Sequence, residues 1–364
     1  MADFCLHPAV YQSGSYKSLL NILEHIWMRD QPIGQGTFYI ISGFANYNGG
    51  VRFFEGFRQH IKKGGKVVAI FSGSTAQKLT SKQVVKELVD LGAEVHIINR
   101  KRLLHAKCYG SKNADLQSLV VTSGNFTAPG LNQNAEASIL LNSTEVKGMG
   151  FSWEILLDSI FQQKWDIYSL SKDGQKSPGW KLLYDERQMA VTLEEDQERT
   201  MILTLGHNDT ARIQASAGTE ASKGTQYFWL SRDCYDFFPP LTIRNARGLK
   251  ATYSALISMN YVNLNVIDPK CRVTFEAENN LDFRLGTGKL RATKLAKKGD
   301  LAAITRVGED KYELRIFRKG TPQFNSLSEY AISFIGHQNK QYGYINNMEF
   351  FEIIKKPAGN GKNS

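Results

Sequence analysis

Val67-Val68-Ala69-Ile70-Phe71 is an unbroken apolar run in which no alternate position is polar. A strand of this kind has no face to offer water, so it belongs in a sheet covered on both sides. That requirement commits the surrounding chain to layers of helix over sheet. The neighbouring sequence supplies the covers. Leu19, Leu20, Ile22, Leu23 and Ile26 make an apolar stripe that predicts a helix from Ser15 to Met28. Val51, Phe54, Phe57 and Ile61 fall at the same spacing in a second helix, which runs into Gly64-Gly65. Ser81 can cap a third helix that reaches Leu91 and ends at Gly92. Between them Phe38-Tyr39-Ile40-Ile41, Val95-His96-Ile97-Ile98 and Ala137-Ser138-Ile139-Leu140-Leu141 read as strands, with a last helix from Trp153 to Phe161. Up to about residue 165, strands and helices alternate, which predicts an α/β sandwich on a mixed sheet.

The chemistry-bearing residues lie inside this pattern. His105-Ala106-Lys107 reads as part of a short apolar strand. About a strand and a turn later comes Thr122-Ser123-Gly124-Asn125-Phe126-Thr127, then Asn134-Ala135-Glu136. Residues two apart on a strand share a face, so His105 and Lys107 would point the same way. A Ser-x-Asn at the end of the next strand brings a hydroxyl and an amide to the same place. Together they offer a nucleophile, a fixed cation and two neutral hydrogen-bonding groups, the set needed to attack a phosphodiester without a metal.

At these residues the chain resembles the phospholipase D superfamily, whose signature is His-x-Lys followed by Ser-x-Asn. From Ser123 to Glu136 it is most similar to the small bacterial nucleases of that superfamily, including the BfiI and NgoFVII type of restriction endonuclease. The pattern departs from the family in two places. Lys112 stands where an aspartate is usual, with Asp115 nearby, and Thr122-Ser123 replaces a Gly-Ser. A second His-x-Lys, His60-Ile61-Lys62, has no Ser-x-Asn after it and is expected to be a surface residue near a helix end.

The formal charge of +10 favours a polyanionic partner. The excess is shared equally between residues 1–180 and the remainder, so neither part is a basic tail on a neutral enzyme. Cys5, Cys108, Cys234 and Cys271 are too scattered for a zinc site or a disulfide framework. No apolar run approaches a membrane span, and the amino terminus lacks a basic segment followed by an apolar one. The expectation is a reduced, cytoplasmic protein with no membrane contact and no cofactor.

Polar, turn-forming residues from Ser171 to Trp180 read as a linker. The expected division is a catalytic domain over 1–170, a linker over 171–190, a second domain over 191–350 and a basic polar tail over 351–364. In the second domain Tyr227–Leu230, Leu241–Ile243, Thr252–Ile257, Arg272–Phe275, Leu301–Val307 and Tyr312–Phe317 read as strands. Gly308-Glu309-Asp310 supplies a hairpin turn. From Arg284 to Lys298 the chain holds Arg284, Lys289, Arg291, Lys294, Lys297 and Lys298 and no acidic residue.

Asn279-Asn280-Leu281-Asp282-Phe283-Arg284-Leu285-Gly286, Gly299-Asp300-Leu301 and Tyr312-Glu313-Leu314 resemble the carboxy-terminal domain of NgoFVII-type endonucleases. The resemblance implies an open β pseudobarrel like the plant B-three transcription-factor domain, which lays two loop arms in the DNA major groove. Base edges call for Arg, Lys, Asn and Gln. By position the first arm would use Arg212, Gln214, Lys223 and Gln226, and the second Asn279, Asn280, Arg284 and Lys289.

The resemblance implies a sequence-specific, metal-independent double-strand endonuclease of a restriction system. His105 would attack phosphorus to give a phosphohistidine. Lys107, Asn125 and Ser123 would bind the developing charge, and Glu136 would orient His105. A second imidazole must protonate the leaving oxygen. Since the motif occurs once, two chains would meet along the catalytic face in a homodimer. A companion methyltransferase and, as in some relatives, a separate ATPase or helicase subunit are the implied partners. Four competing readings are set beside it. They are a lipid or repair phosphodiesterase, a DNA-binding protein whose enzymatic domain is spent, a magnesium site at Glu145-Val146-Lys147 with Asp115, and a phosphate loop at Gly286-Thr287-Gly288-Lys289.

Overall fold

The computed structural model describes residues 2–355 apart from 8–9, 101–102, 173, 175–176, 188–198, 232–233, 235–236, 248–249, 277–281 and 336–339. The chain divides into two compact units, Met1–Glu186 and Arg187–Ser364.

The strands of the first unit are β1 (Asp3–His7), β2 (Tyr11–Gln12), β3 (Thr37–Ser42), β4 (Lys66–Ser72), β5 (Glu94–Asn99), β6 (Lys107–Asn113), β7 (Leu116–Thr122), β8 (Glu136–Leu141) and β9 (Asp166–Leu170). They form one sheet in the order β2-β1-β8-β7-β6-β3-β4-β5-β9. Strands β3, β4 and β5 run parallel, whereas β3-β6, β6-β7, β7-β8 and β8-β1 are antiparallel. Its helices are α1 (Leu19–Glu24), α2 (Tyr47–Gly50), α3 (Phe54–Lys62), α4 (Lys82–Leu91), α5 (Ser143–Gly148), α6 (Trp153–Phe161) and α7 (Pro178–Lys181).

Both faces of the sheet are covered, as the apolar run of β4 requires. On one face Tyr39, Ile41, Val68, Ile70 and Ile98 pack with Trp153 and Ile160 of α6. Trp153 stacks on Tyr39 at 4.5 Å, and its Nε1 donates to the Ser118 carbonyl at 3.0 Å. On the other face Phe38 meets Trp27 and Phe57, and Trp27 meets Phe53 edge-on at 5.0 Å. Ser81 caps α4 by accepting from the Val84 N–H, and Gly92 ends it in the left-handed region at φ 98°.

Three local expectations and one competing reading, the magnesium site at Glu145, need correction. The helix predicted over Ser15–Met28 is α1 followed by a wide π turn, His25–Arg29. His60 is buried rather than on the surface. Its ring stacks on Phe38 at 3.9 Å, Nδ1 accepts from the Gly34 N–H, and Nε2 faces the Gly36 carbonyl. Glu145 lies in a helix, where its carboxylate accepts from the Asn142 N–H in a capping box. Finally, residues 178–186, expected within a linker, are packed on the first unit. Trp180 and Leu183 are buried, Gly179 lies against Tyr168, and the Tyr47 N–H donates to Glu186 Oε1 at 2.7 Å.

The second unit contains β10 (Arg199–Thr204), β11 (Tyr227–Leu230), β12 (Ile243–Arg247), β13 (Lys250–Tyr261), β14 (Val266–Glu276), β15 (Asp282–Gly286), β16 (Leu301–Arg306), β17 (Lys311–Phe317), β18 (Ser333–Ile335) and β19 (Lys340–Asn346). They form a curled sheet in the order β11-β15-β14-β13-β17-β16-β10-β19-β18, with β12 paired to β13. The α/β sandwich followed by a β-rich domain is therefore the observed architecture. The hairpin at Gly308-Glu309-Asp310 joins antiparallel β16 and β17. Three α-helices accompany the sheet among the described residues, α8 (His207–Gln214), α9 (Pro322–Ser328) and α10 (Asn347–Lys355). Helix α10 corrects the expected tail from residue 351: Phe350 is fully buried, and Phe351, Ile353 and Ile354 pack on the core beside it.

Candidate active site

Strand order decides which residues can meet. Strands β6, β7 and β8 are neighbours, and antiparallel pairing puts the start of β6, the end of β7 and the start of β8 at one edge of the sheet. Lys107 opens β6, Ser123 and Asn125 follow β7, and Glu136 opens β8. His105 is not on the strand; it lies in the connection just before it. The imidazole is exposed while Lys107 is 8% exposed.

Lys107 Nζ lies 3.0 Å from Nδ1 and 2.9 Å from Nε2 of His105, and donates to the His105 carbonyl at 3.1 Å. The ammonium is thus anchored on the His105 carbonyl and set against the ring, nearly equidistant from its two nitrogens. Burial pushes the Lys107 ammonium below the usual lysine range, and the Glu136 charge opposes that shift.

Ser123 Oγ donates to Glu136 Oε2 and accepts from the Ala137 N–H at 3.0 Å. Asn134 Nδ2 donates to Glu136 Oε1 at 3.3 Å. The carboxylate is thus held by Ser123 and Asn134, and no hydrogen bond joins it to His105 among the described residues. Asn125 Oδ1 accepts from the Phe44 N–H at 3.2 Å, which makes Nδ2 the amide's donor end.

The loop carrying Ser123 and Asn125 rests on buried polar supports that sequence reasoning missed. Tyr109 hydroxyl donates to the Gly124 carbonyl at 3.0 Å. Ser42 Oγ accepts from the Phe126 N–H at 2.9 Å and donates to the Phe44 carbonyl at 2.6 Å. On the other side Ser72 Oγ donates to the Leu104 carbonyl at 2.7 Å, fixing the residue before His105. A Cβ at Gly124 would sit 2.4 Å from the Gly130 carbonyl oxygen, so the middle residue of Ser-Gly-Asn must be glycine. The signal available in sequence was the serine ending each buried strand, Ser42 after Ile41 and Ser72 after Phe71. A hydroxyl closing an apolar run has to find a partner inside.

The residues offered for DNA contact fare unevenly. Gln226 is 2% exposed, with its Nε2 donating to the Asp209 carbonyl and to Thr287 Oγ1, so it is not presented to a base; it sits inside the unit, directly before β11. Arg212 and Gln214 lie on α8 rather than a loop, donating to the Lys223 and Ala296 carbonyls. Lys223 is exposed and paired with Glu220. Arg284, on β15, pairs with Glu276 at 2.8 Å and lies over Tyr227 and Trp229. Lys289 is exposed in a short turn where Thr287 is buried, which leaves no phosphate loop. Asn279 and Asn280 lie outside the described residues.

Residues 193–356 match the family described as the metal-independent restriction enzyme BfiI DNA binding domain. The match covers most of the second unit and bears out the resemblance drawn from its sequence. Among curated proteins none matches the chain. Three solved structures with similarity are Nuc from Salmonella typhimurium, NucT from Helicobacter pylori and the N-terminal domain of Helicobacter pylori LlaJI.R1. Nuc, described as a phospholipase D family member, is 12% identical over 47% of this chain and 99% of its own, with a TM-score of 0.33. NucT is 15% identical over 34% and 79%, at 0.26. The LlaJI.R1 domain is 14% identical over 40% and 96%, also at 0.26. Among the described residues no helix is long and apolar enough to cross a membrane.

Proposed function

We propose that this chain is a sequence-specific double-strand DNA endonuclease of a restriction system, cutting without a metal through a phosphohistidine at His105. The observation that carries the reading is the convergence of His105, Lys107, Ser123, Asn125 and Glu136 at one sheet edge. It occurs in a chain whose second unit matches a DNA-binding domain.

In this reading His105 attacks phosphorus, a nitrogen–phosphorus bond forms and the bond to the leaving oxygen breaks. Lys107 Nζ and Asn125 Nδ2 bind the non-bridging oxygens, where charge grows as the five-coordinate state forms. Glu136 fixes Ser123 and partly neutralises Lys107, a role that replaces the expected direct grip on His105. A second imidazole protonates the leaving oxygen and then removes a proton from the water that releases the phosphate. A homodimer that pools two His105 side chains supplies it, with one centre cutting strands in turn. A companion methyltransferase would protect the host's own sites.

The test is plasmid DNA incubated with the full-length protein in excess chelator, alongside His105→Ala. Discrete fragments from the wild type alone support the reading. Cutting only after magnesium is added, or DNA that is bound and left whole, overturns it.

A further inference from the structure

We propose that His7 is a positioning residue of this centre, holding Glu136 and the Ser123–Asn125 loop from behind; the inference rests on the nuclease reading above. His7 ends β1, is fully buried and stands opposite Glu136 in the register between β1 and β8. Side chains directly opposite on an antiparallel pair lie on one face in contact distance. Its Nε2 is 3.5 Å from Ser138 Oγ, and Ser138 Oγ is 2.7 Å from Thr122 Oγ1. Thr122 Oγ1 accepts from the Gly124 N–H at 3.0 Å. An imidazole is thereby connected, through two hydroxyls, to the loop that presents Ser123 and Asn125.

Nδ1 of His7 has no hydrogen-bond partner among the described residues. A buried nitrogen left without a partner costs free energy that an apolar ring in the same space would avoid. What the imidazole provides in return is a neutral polar group beside a carboxylate. Burial lowers the His7 pKa, and the Glu136 charge opposes the shift. The other titratable groups on this face are Cys5 and Asp3, on the same strand, and Lys107 and Tyr109 of β6, both of which feel the same carboxylate. While His7 is neutral, Glu136 stays with Ser123 and Asn134. Once protonated, His7 becomes a second cation competing for that carboxylate, and the loop loses its support.

The test uses the full-length protein, supercoiled plasmid in excess chelator, and temperatures at which circular dichroism shows each variant folded. His7→Phe fills the space without the Nε2 link. Its saturating single-turnover rate is expected to fall by up to about 100-fold, the cost of misplacing a reacting group by roughly 1 Å. The half-saturating DNA concentration should stay unchanged. His7→Gln, which keeps a polar group near Nε2, should recover most of the rate and fall less steeply on the acid side. In 15N-histidine-labelled protein Glu136→Gln should move the His7 titration to lower pH, a readout that needs no cleavage. A wild-type rate in folded His7→Phe, or a His7 titration indifferent to Glu136→Gln, overturns the assignment. Failure of the wild type to cut would instead sink the nuclease reading, with the titration still deciding the His7–Glu136 link.

Discussion

The Tyr109 hydroxyl donates to the Gly124 carbonyl at 3.0 Å, so a fully buried residue of β6 carries the turn between Ser123 and Asn125. The phenol's pKa is driven far up by burial, which keeps the donor proton in place. Tyr109→Phe removes this bond together with the hydroxyl's longer contact to Ser42 Oγ at 3.5 Å, and leaves Gly124 with an unpaired carbonyl, at a cost of about 1–3 kcal/mol. A thermal melt should report that loss. Plasmid cleavage should lose saturating rate with little change in the DNA concentration needed.

Lys107→Met should be the most damaging change that leaves His105 in place. A pre-placed donor to growing charge is worth about 2.7–4 kcal/mol, or 100- to 1000-fold in rate. Single-turnover cleavage measures it directly. Lys107→Arg should recover only part, since a planar fork does not reproduce a point charge against two ring nitrogens.

Gly124→Ala forces a methyl group to within 2.4 Å of the Gly130 carbonyl oxygen and 2.8 Å of Leu19. Overpacking of this kind costs typically about 1–3 kcal/mol. The variant should melt lower and cut more slowly; an unchanged melt would show that the loop yields freely.

His60 makes stability fall in acid. Burial holds its pKa below the usual histidine value, so between the two values the unfolded chain takes up a proton that the folded chain refuses. Its contribution is complete at pH 8 and is lost as pH drops below about 6.5. His60→Asn should melt lower at pH 8 yet lose less on going to pH 5.5.

Much of the first unit was legible because its strands are short apolar runs that stand out whether their partners are near or, as for β1 with β8 and β3 with β6, far away in sequence. The His105–Glu136 spacing survived as a cluster, since three consecutive strands in sequence are also neighbours in the sheet. His60 was misread because what buries it, Phe38 of β3 and the glycines at 34 and 36 in the loop before it, comes from an earlier part of the chain. Gln226 was misread because the groups that take up its amide, Asp209 and Thr287, are distant in sequence and leave no mark on the local composition. Helix α10 was hidden by the lysines and proline that follow Phe350-Phe351.

Binding by the second unit should be read on the full chain with His105→Ala. Fragments of plasmid DNA should be retarded in a gel at low salt and released as salt rises. Each neutralised phosphate adds about −0.9 to the slope of log affinity against log salt. A flat salt profile would leave the basic stretch from Arg284 to Lys298 without its assigned partner.

The five proposed site residues are delivered by the adjoining ends of three neighbouring strands of one hydrogen-bonded sheet, so none can drift without dragging its neighbours. Heat should therefore extinguish cleavage in step with cooperative melting of the first unit, rather than through earlier loosening around the reacting atoms. Any peptide excised from this edge, however faithfully it copies the signature, would carry the letters without the stiffness that spaces them.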